Sequence, residues 1–180
     1  MKKLSFALAA LLAVSAVFTA CGGEAAPAGN DTAEGGAPGI EAEAAAEYPV
    51  TLDNGKTITI NGAADAAISA LGEHIDFMEA PSCVHDGNDK VYTYDGCTVT
   101  TSPDAGGNQY VAELSLTSDV VALDNGLYIG CTLAEAKKAF GEEFTESFGV
   151  LKYELPGVTI SVVADGDTVT GITFASAAAH

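Results

Sequence analysis

Leu52-Asp53-Asn54-Gly55 and Leu123-Asp124-Asn125-Gly126 are the same four residues met twice, and the residues after each copy repeat a pattern as well. Asn-Gly and Asp-Asn pairs suit tight turns, because both residue types tolerate a left-handed backbone. Each copy is followed by a short apolar strand pattern that ends at Ile60 or at Ile129. Then comes a helical pattern ending at a glycine, with the same spacing from Ile60 to Gly72 as from Ile129 to Gly141. In the first helix Ala64, Ala67, Ile68 and Leu71 recur at i, i+3, i+4, i+7, which makes one apolar stripe. Leu133, Ala136 and Phe140 take the equivalent places in the second. Thr132 and Glu135 have the T-x-x-E spacing of a capping box, in which each side chain satisfies a free backbone N–H of the first turn. Gly72 and Gly141 suit the left-handed position that ends a helix.

Beyond the helices, Tyr92-Thr93-Tyr94-Asp95-Gly96-Cys97-Thr98-Val99 aligns with Tyr153-Glu154-Leu155-Pro156-Gly157-Val158-Thr159-Ile160. Val111, Leu114 and Leu116 align with Val169, Ile172 and Phe174, and polar turns at 104–108 and 165–167 join the strands on either side. The reading is an α+β domain over 48–176, made of two tandem helix-plus-hairpin repeats, 48–119 and 120–176, followed by a tail at 177–180. Each repeat supplies a helix and two or three antiparallel strands. The simplest assembly is one sheet with both helices packed on one face. Its other face would be half exposed and rich in Thr, Ser and Tyr.

The chain before this domain reads as an address and a tether. Lys2 and Lys3 precede an apolar run, Leu4 to Val17, that is short for a membrane span. Phe18-Thr19-Ala20-Cys21 resembles a lipobox, the signal for diacylglyceryl transfer to a cysteine followed by cleavage before it. Residues 1–20 are thus expected to be a lipoprotein signal peptide and Cys21 the lipidated residue. Phe18 departs from the usual leucine at its position. The expected location is the extracytoplasmic side of a cell membrane, held by lipid. Residues 21–47 carry the lipidated cysteine and a stretch of Gly, Ala, Glu and Pro with almost no large apolar side chain. Such a composition buries too little surface to offset its ordering entropy, so it reads as a disordered spacer. As a flexible coil it would span about 28 Å on average.

Charge excludes whole classes of partner. The chain after residue 20 keeps 25 acidic residues against five lysines, a net charge of −20, and has no arginine. Nucleic-acid binding needs clustered cations to neutralise phosphates, and so does peripheral binding to anionic lipid. The charge suits a cationic partner or divalent cations.

Tyr128-Ile129-Gly130-Cys131-Thr132 before a helix, and Asp167-Thr168-Val169-Thr170-Gly171-Ile172 near the end, carry a resemblance over nearly all of 48–176. They are similar to phrases in the tandem repeats of the β-lactamase inhibitory protein and of small SmpA/OmlA-type outer-membrane lipoproteins. Ser82-Cys83 ahead of Asp89-Lys90-Val91-Tyr92-Thr93-Tyr94 also resembles uncharacterised lipoproteins of Clostridia-like bacteria. The resemblance implies architecture and, for function, a tendency toward protein binding; no inhibitory residue carries over.

Cys83, Cys97 and Cys131 remain for an oxidising compartment. A Cys83–Cys97 disulfide would close a short loop; three reduced thiols are the alternative, with Cys97 at an inward place on the strand alternation. Cys131 precedes a helix, where a thiol can be activated, although a small structural residue suits the place as well. Cys83, His85, Asp86 and Asp89 offer metal-ligand chemistry without a second Cys/His pair at finger spacing. Asp86-Gly87-Asn88-Asp89 lacks the twelve-residue calcium-loop pattern. His74, His85 and His180 belong to no catalytic motif. No cofactor and no enzymatic activity are expected. The leading expectation is a monomeric, non-catalytic protein-binding or envelope-scaffold module that meets an envelope or secreted protein through a tyrosine-bearing sheet face: Tyr92, Tyr94 and Tyr153. The same tyrosines would also suit packing under the helices. The alternative function is binding of a small ligand or cation.

Overall fold

The computed structural model describes residues 45–177. Cys21, expected to be the lipidated residue, the expected signal peptide, nearly all of the expected spacer and the last three residues lie outside that range. Ten strands and two helices follow one another in the order β1 (Tyr48–Thr51), β2 (Thr57–Ile60), α1 (Ala64–Leu71), β3 (Asp76–Pro81), β4 (Asn88–Tyr94), β5 (Cys97–Pro103), β6 (Gln109–Leu116), α2 (Leu133–Phe140), β7 (Thr145–Ser147), β8 (Val150–Leu155), β9 (Val158–Asp165) and β10 (Thr168–Ser176). Among the described residues no helix is long and apolar enough to cross a membrane.

The fold is α+β, but its strands form two sheets, which corrects the expectation of one. The large sheet has eight antiparallel strands in the order β3-β4-β5-β6-β10-β9-β8-β7. That order reads the same from both edges once repeat 1 is exchanged for repeat 2. Each repeat contributes four strands rather than two or three, and β6 and β10 meet at the centre, pairing Ile172 with Leu116 and Phe174 with Leu114. The second sheet is the β1–β2 hairpin closed by the first Leu-Asp-Asn-Gly turn. Its Val50, Leu52, Ile58 and Ile60 are buried, and β2 packs against β6 and β10. The hairpin is therefore a lid over the join between repeats, where four apolar side chains find cover that a sheet edge could not offer. The second Leu-Asp-Asn-Gly copy makes no strand at Ile129; only the single bridge between Ala122 and Tyr128 forms there.

The duplication extends to single hydrogen bonds. Leu52 N–H donates to Lys56 O and Leu123 N–H to Leu127 O, both at 2.8 Å. Across the two turns Asp53 N–H donates to Ala122 O and Asp124 N–H to Thr51 O, both at 2.9 Å. Val111 N–H reaches Gly62 O and Val169 N–H reaches Cys131 O, again at 2.9 Å. Glycine is required at one matched pair of positions. Gly96 and Gly157 both have positive φ (84° and 79°), and a Cβ at either would strike the chain that starts the other repeat. At Gly96 it would meet Val120 and Val121; at Gly157 it would meet the Ala46 backbone. Asn61 Nδ2 donates to Ala46 O and Gly157 O, each at 2.7 Å, so the beginning of the domain is tied down beside the β8–β9 turn.

Both helices end as their sequences predict at Gly72 and Gly141, whose N–H groups donate to Ile68 O and Lys137 O. The φ values are positive (91° and 98°), but ψ values of −141° and −178° lead the chain out extended rather than in a left-handed turn. This backbone region belongs almost wholly to glycine. The α2 capping box is complete: Glu135 N–H donates to Thr132 Oγ1 at 3.2 Å and Thr132 N–H to Glu135 Oε2 at 2.8 Å. Helix α1 starts at Ala63 with no side-chain cap.

Candidate interaction surface

Side-chain alternation and strand register divide the large sheet into two faces. On one, Phe77, Tyr92, Val99, Leu114, Phe174, Ile160 and Tyr153 stand in a row across seven strands, each paired with the next. All but Phe77 and Tyr92 are buried. Phe140 of α2 lies over this row, with ring centroids 5.4 Å from Tyr153 and 6.1 Å from Phe174. On the other face Asp76, Thr93, Thr98, Ser115, Thr173, Ser161, Lys152 and Thr145 cross all eight strands. Ser115 Oγ and Thr173 Oγ1 are 2.9 Å apart across the central join.

The open face is thus rich in threonine and serine, and Tyr92, Tyr94 and Tyr153 belong to the covered one. Tyr94 and Tyr153 are buried and cannot form the binding face assigned to them; the pairings Tyr94–Cys97 and Tyr153–Ile160 turn them inward. Their hydroxyls are buried without a hydrogen-bond partner, and burial pushes both above the usual tyrosine range. For Tyr94 the neighbouring Cys97 and Tyr92 add to the effect, and for Tyr153 Glu142 does. Tyr92 is half-buried at the margin of the covered face.

Of the two arrangements that the sequence leaves open, the Cys83–Cys97 bridge is absent among the described residues: Cys83, Cys97 and Cys131 are all free. Cys83 lies in the loop beyond Pro81, next to the Asn88 end of β4, whereas Cys97 pairs with Tyr94 at the other end. Six residues of strand separate the two levels, about 20 Å at 3.3 Å per residue, far beyond disulfide reach. Cys97 is buried and its thiol is pushed up by that burial, with Lys56 acting weakly in the opposite sense. Cys131 is buried as well, so its place before α2 does not expose it.

Among the described residues no three His, Cys, Asp or Glu side chains are placed to hold a metal ion. His85 and Asp86 border a shallow open depression with Asp104 and the turn at 105–107. The Asp104 carboxylate is already engaged. Its Oδ1 accepts from Gly106 N–H and Asn108 N–H, both at 2.8 Å, and these bonds hold its pKa below the ordinary carboxylate value.

The edge of the sheet is the part that sequence reading misses. β3 gives no strand signal, because Asp76-Phe77-Met78-Glu79-Ala80-Pro81 lacks a buried face and ends in proline. All six residues are exposed, and only β4 pairs with the strand. Ile75 is 71% exposed, Phe77 41%, Met78 62% and Val84 64%, so four of the nine exposed large apolar residues among the described residues sit on one hairpin. Phe77 and Met78 project to opposite faces. On the covered side His74, Phe77 and Tyr92 form an aromatic cluster, with Phe77–Tyr92 centroids at 5.1 Å and His74–Tyr92 at 5.5 Å. The one signal present in the sequence is Phe-Met in a stretch with neither a helical nor an alternating period. A second exposed aromatic, Phe148, stands fully in solvent at the β7–β8 turn with φ 51°.

Compared with models of protein families, with curated proteins and with solved structures, the chain matches none.

Proposed function

We propose that this chain is a lipid-anchored, extracytoplasmic protein-binding module that acts without catalysis, and that the hairpin around β3 is where it meets its partner. The exposed apolar hairpin carries the reading. Ile75, Phe77, Met78 and Val84 gather on one edge, while most other large apolar side chains fill the core. Exposed apolar groups concentrated on one element and rimmed by charge favour association, since leaving them in water forgoes the hydrophobic gain of burial. The rim here is acidic, with Glu73, Asp76, Glu79 and Asp86 and no lysine between Lys56 and Lys90. The lipobox at Cys21 and the Gly/Ala/Glu/Pro spacer support presentation of this surface near a membrane. The resemblance to tandem-repeat inhibitory and envelope proteins leans toward protein recognition as well.

The test uses cells that make the full chain with a photo-crosslinking phenylalanine analogue at Met78. Irradiation is expected to join the chain to another envelope or secreted protein, and a Cys21→Ala version is expected to lose its acyl label and leave the membrane. If the analogue at Met78 yields no adduct with a protein, while the same group at Thr98 on the open face does, the hairpin is not the binding surface. If neither position yields one, protein binding itself is contradicted.

A further inference from the structure

The geometry points to a mode of recognition: the free edge of β3 receives an extended segment of the partner as a ninth strand, and that segment carries lysine or arginine among apolar side chains. The inference rests on the protein-binding reading and specifies its chemistry. A sheet edge presents a row of backbone donors and acceptors to solvent, and an extended peptide can satisfy that row as a ladder. The two edges of this sheet differ. Both are exposed along their whole length, but β7 is three residues long, with Phe148 and Gly149 closing its turn, whereas β3 is six residues long. β3 therefore offers a longer ladder than β7. It also offers anchors on both sides of that ladder, Phe77 with the His74–Tyr92 rings on one face and Met78 beside Val91 on the other.

Charge selects the occupant. Asp76 and Glu79 lie on the strand itself, and Glu73 and Asp86 flank it. Lys90, opposite Glu79, is the one cation in the β3–β4 hairpin. A second copy of this chain is disfavoured. Antiparallel pairing of β3 with itself would bring its two carboxylates against another two, in molecules that already carry a large negative charge. A cationic segment is attracted instead, and its lysines or arginines would stand against Asp76 and Glu79 while its apolar residues cover Phe77 and Met78.

The experiment titrates the acylated full chain in neutral detergent micelles with three synthetic octapeptides. One repeats Lys-Val-Val-Lys, which sets a lysine opposite Asp76 on one face and Glu79 on the other with valines opposite Phe77 and Met78, one has glutamate in place of lysine, and one has proline in place of valine, which keeps the charge but cannot complete a ladder. Binding is followed by fluorescence anisotropy, and amide hydrogen exchange locates it. The lysine–valine peptide is expected to bind at least tenfold more tightly than either control and to slow exchange within residues 75–81. Glu79→Lys is expected to reduce that preference for lysine over glutamate. Equal binding of the lysine–valine and lysine–proline peptides, or protection confined to other strands, would overturn strand addition. The Met78 crosslink would still decide the protein-binding reading separately.

Discussion

Phe148 occupies a place that its side chain does not suit. It and Gly149 both have positive φ, 51° and 79°, which is the pattern of a two-residue turn that favours Asn-Gly. A left-handed backbone costs an ordinary L residue about 1–2 kcal/mol, and Phe148 recovers nothing by burial because it is fully exposed. Phe148→Asn is therefore expected to raise stability by about 1 kcal/mol in a denaturant titration. A loss of stability would mean that the ring packs against something. Thiol chemistry is predicted at the same scale. Cys83 is exposed, whereas Cys97 and Cys131 are buried. With Cys21 replaced by alanine, an aromatic disulfide reagent should titrate one of the remaining three thiols quickly in the native chain and the other two only after denaturation. Rapid reaction of two or more native thiols would contradict the burial of Cys97 or Cys131.

At the scale of elements, α2 is held at its start by the Thr132–Glu135 box, and hydrogen bonds from Thr132 hold the Glu135 carboxyl below its ordinary pKa. Thr132→Ala removes one half of that box and is expected to cost about 1 kcal/mol, read as a lower unfolding midpoint at unchanged slope. The box is legible in sequence because it is a local pattern. The helices, their terminal glycines and the β5–β6 and β9–β10 hairpins with turns at 104–108 and 165–167 are legible for the same reason. The separate β1–β2 sheet is not. Val50, Leu52, Ile58 and Ile60 look like any half-buried strand pair, and only long-range packing puts them over β6 and β10 instead of at a sheet edge. β3 escapes for a different reason: an edge strand with no buried side chain leaves no alternation to read. The tyrosines are assigned to the wrong face because alternation identifies two faces without saying which one the helices cover. Tyr94 shares its face with Leu116 through Cys97, and that long-range pairing decides the matter.

Among the described residues, one hydrophobic core is shared by both repeats. Leu114 and Phe174 pair directly across the repeat boundary, and the two Leu-Asp-Asn-Gly turns exchange hydrogen bonds. Alkali should weaken this core in a defined window. Burial raises the pKa of Cys97 above 9.0, and of Tyr94, Tyr110 and Tyr153 above 10.0. Nearby carboxylates add to the effect at Tyr110, from Asp89 and Asp104. The unfolded chain releases these protons first, so it binds fewer of them there and stability falls as pH rises. Stability from these groups is fully present below pH 9 and is lost as pH climbs through 9 and 10 toward the raised folded values. Chemical denaturation at stepped pH should show that decline, and a flat profile to pH 11 would contradict the burial of Cys97, Tyr94 and Tyr153.

The association surface is also a property of the whole molecule, since it is what remains uncovered once both repeats have filled their shared core. Met78→Asp tests it most directly, because Met78 is exposed and its loss leaves that core untouched. The measurement is the size of the full chain in gently solubilised membranes, by native electrophoresis, alongside the melting temperature of the purified variant. The original chain is expected to migrate in a larger complex, and Met78→Asp to migrate alone at an unchanged melting temperature. Identical migration of the two chains would contradict association through this surface.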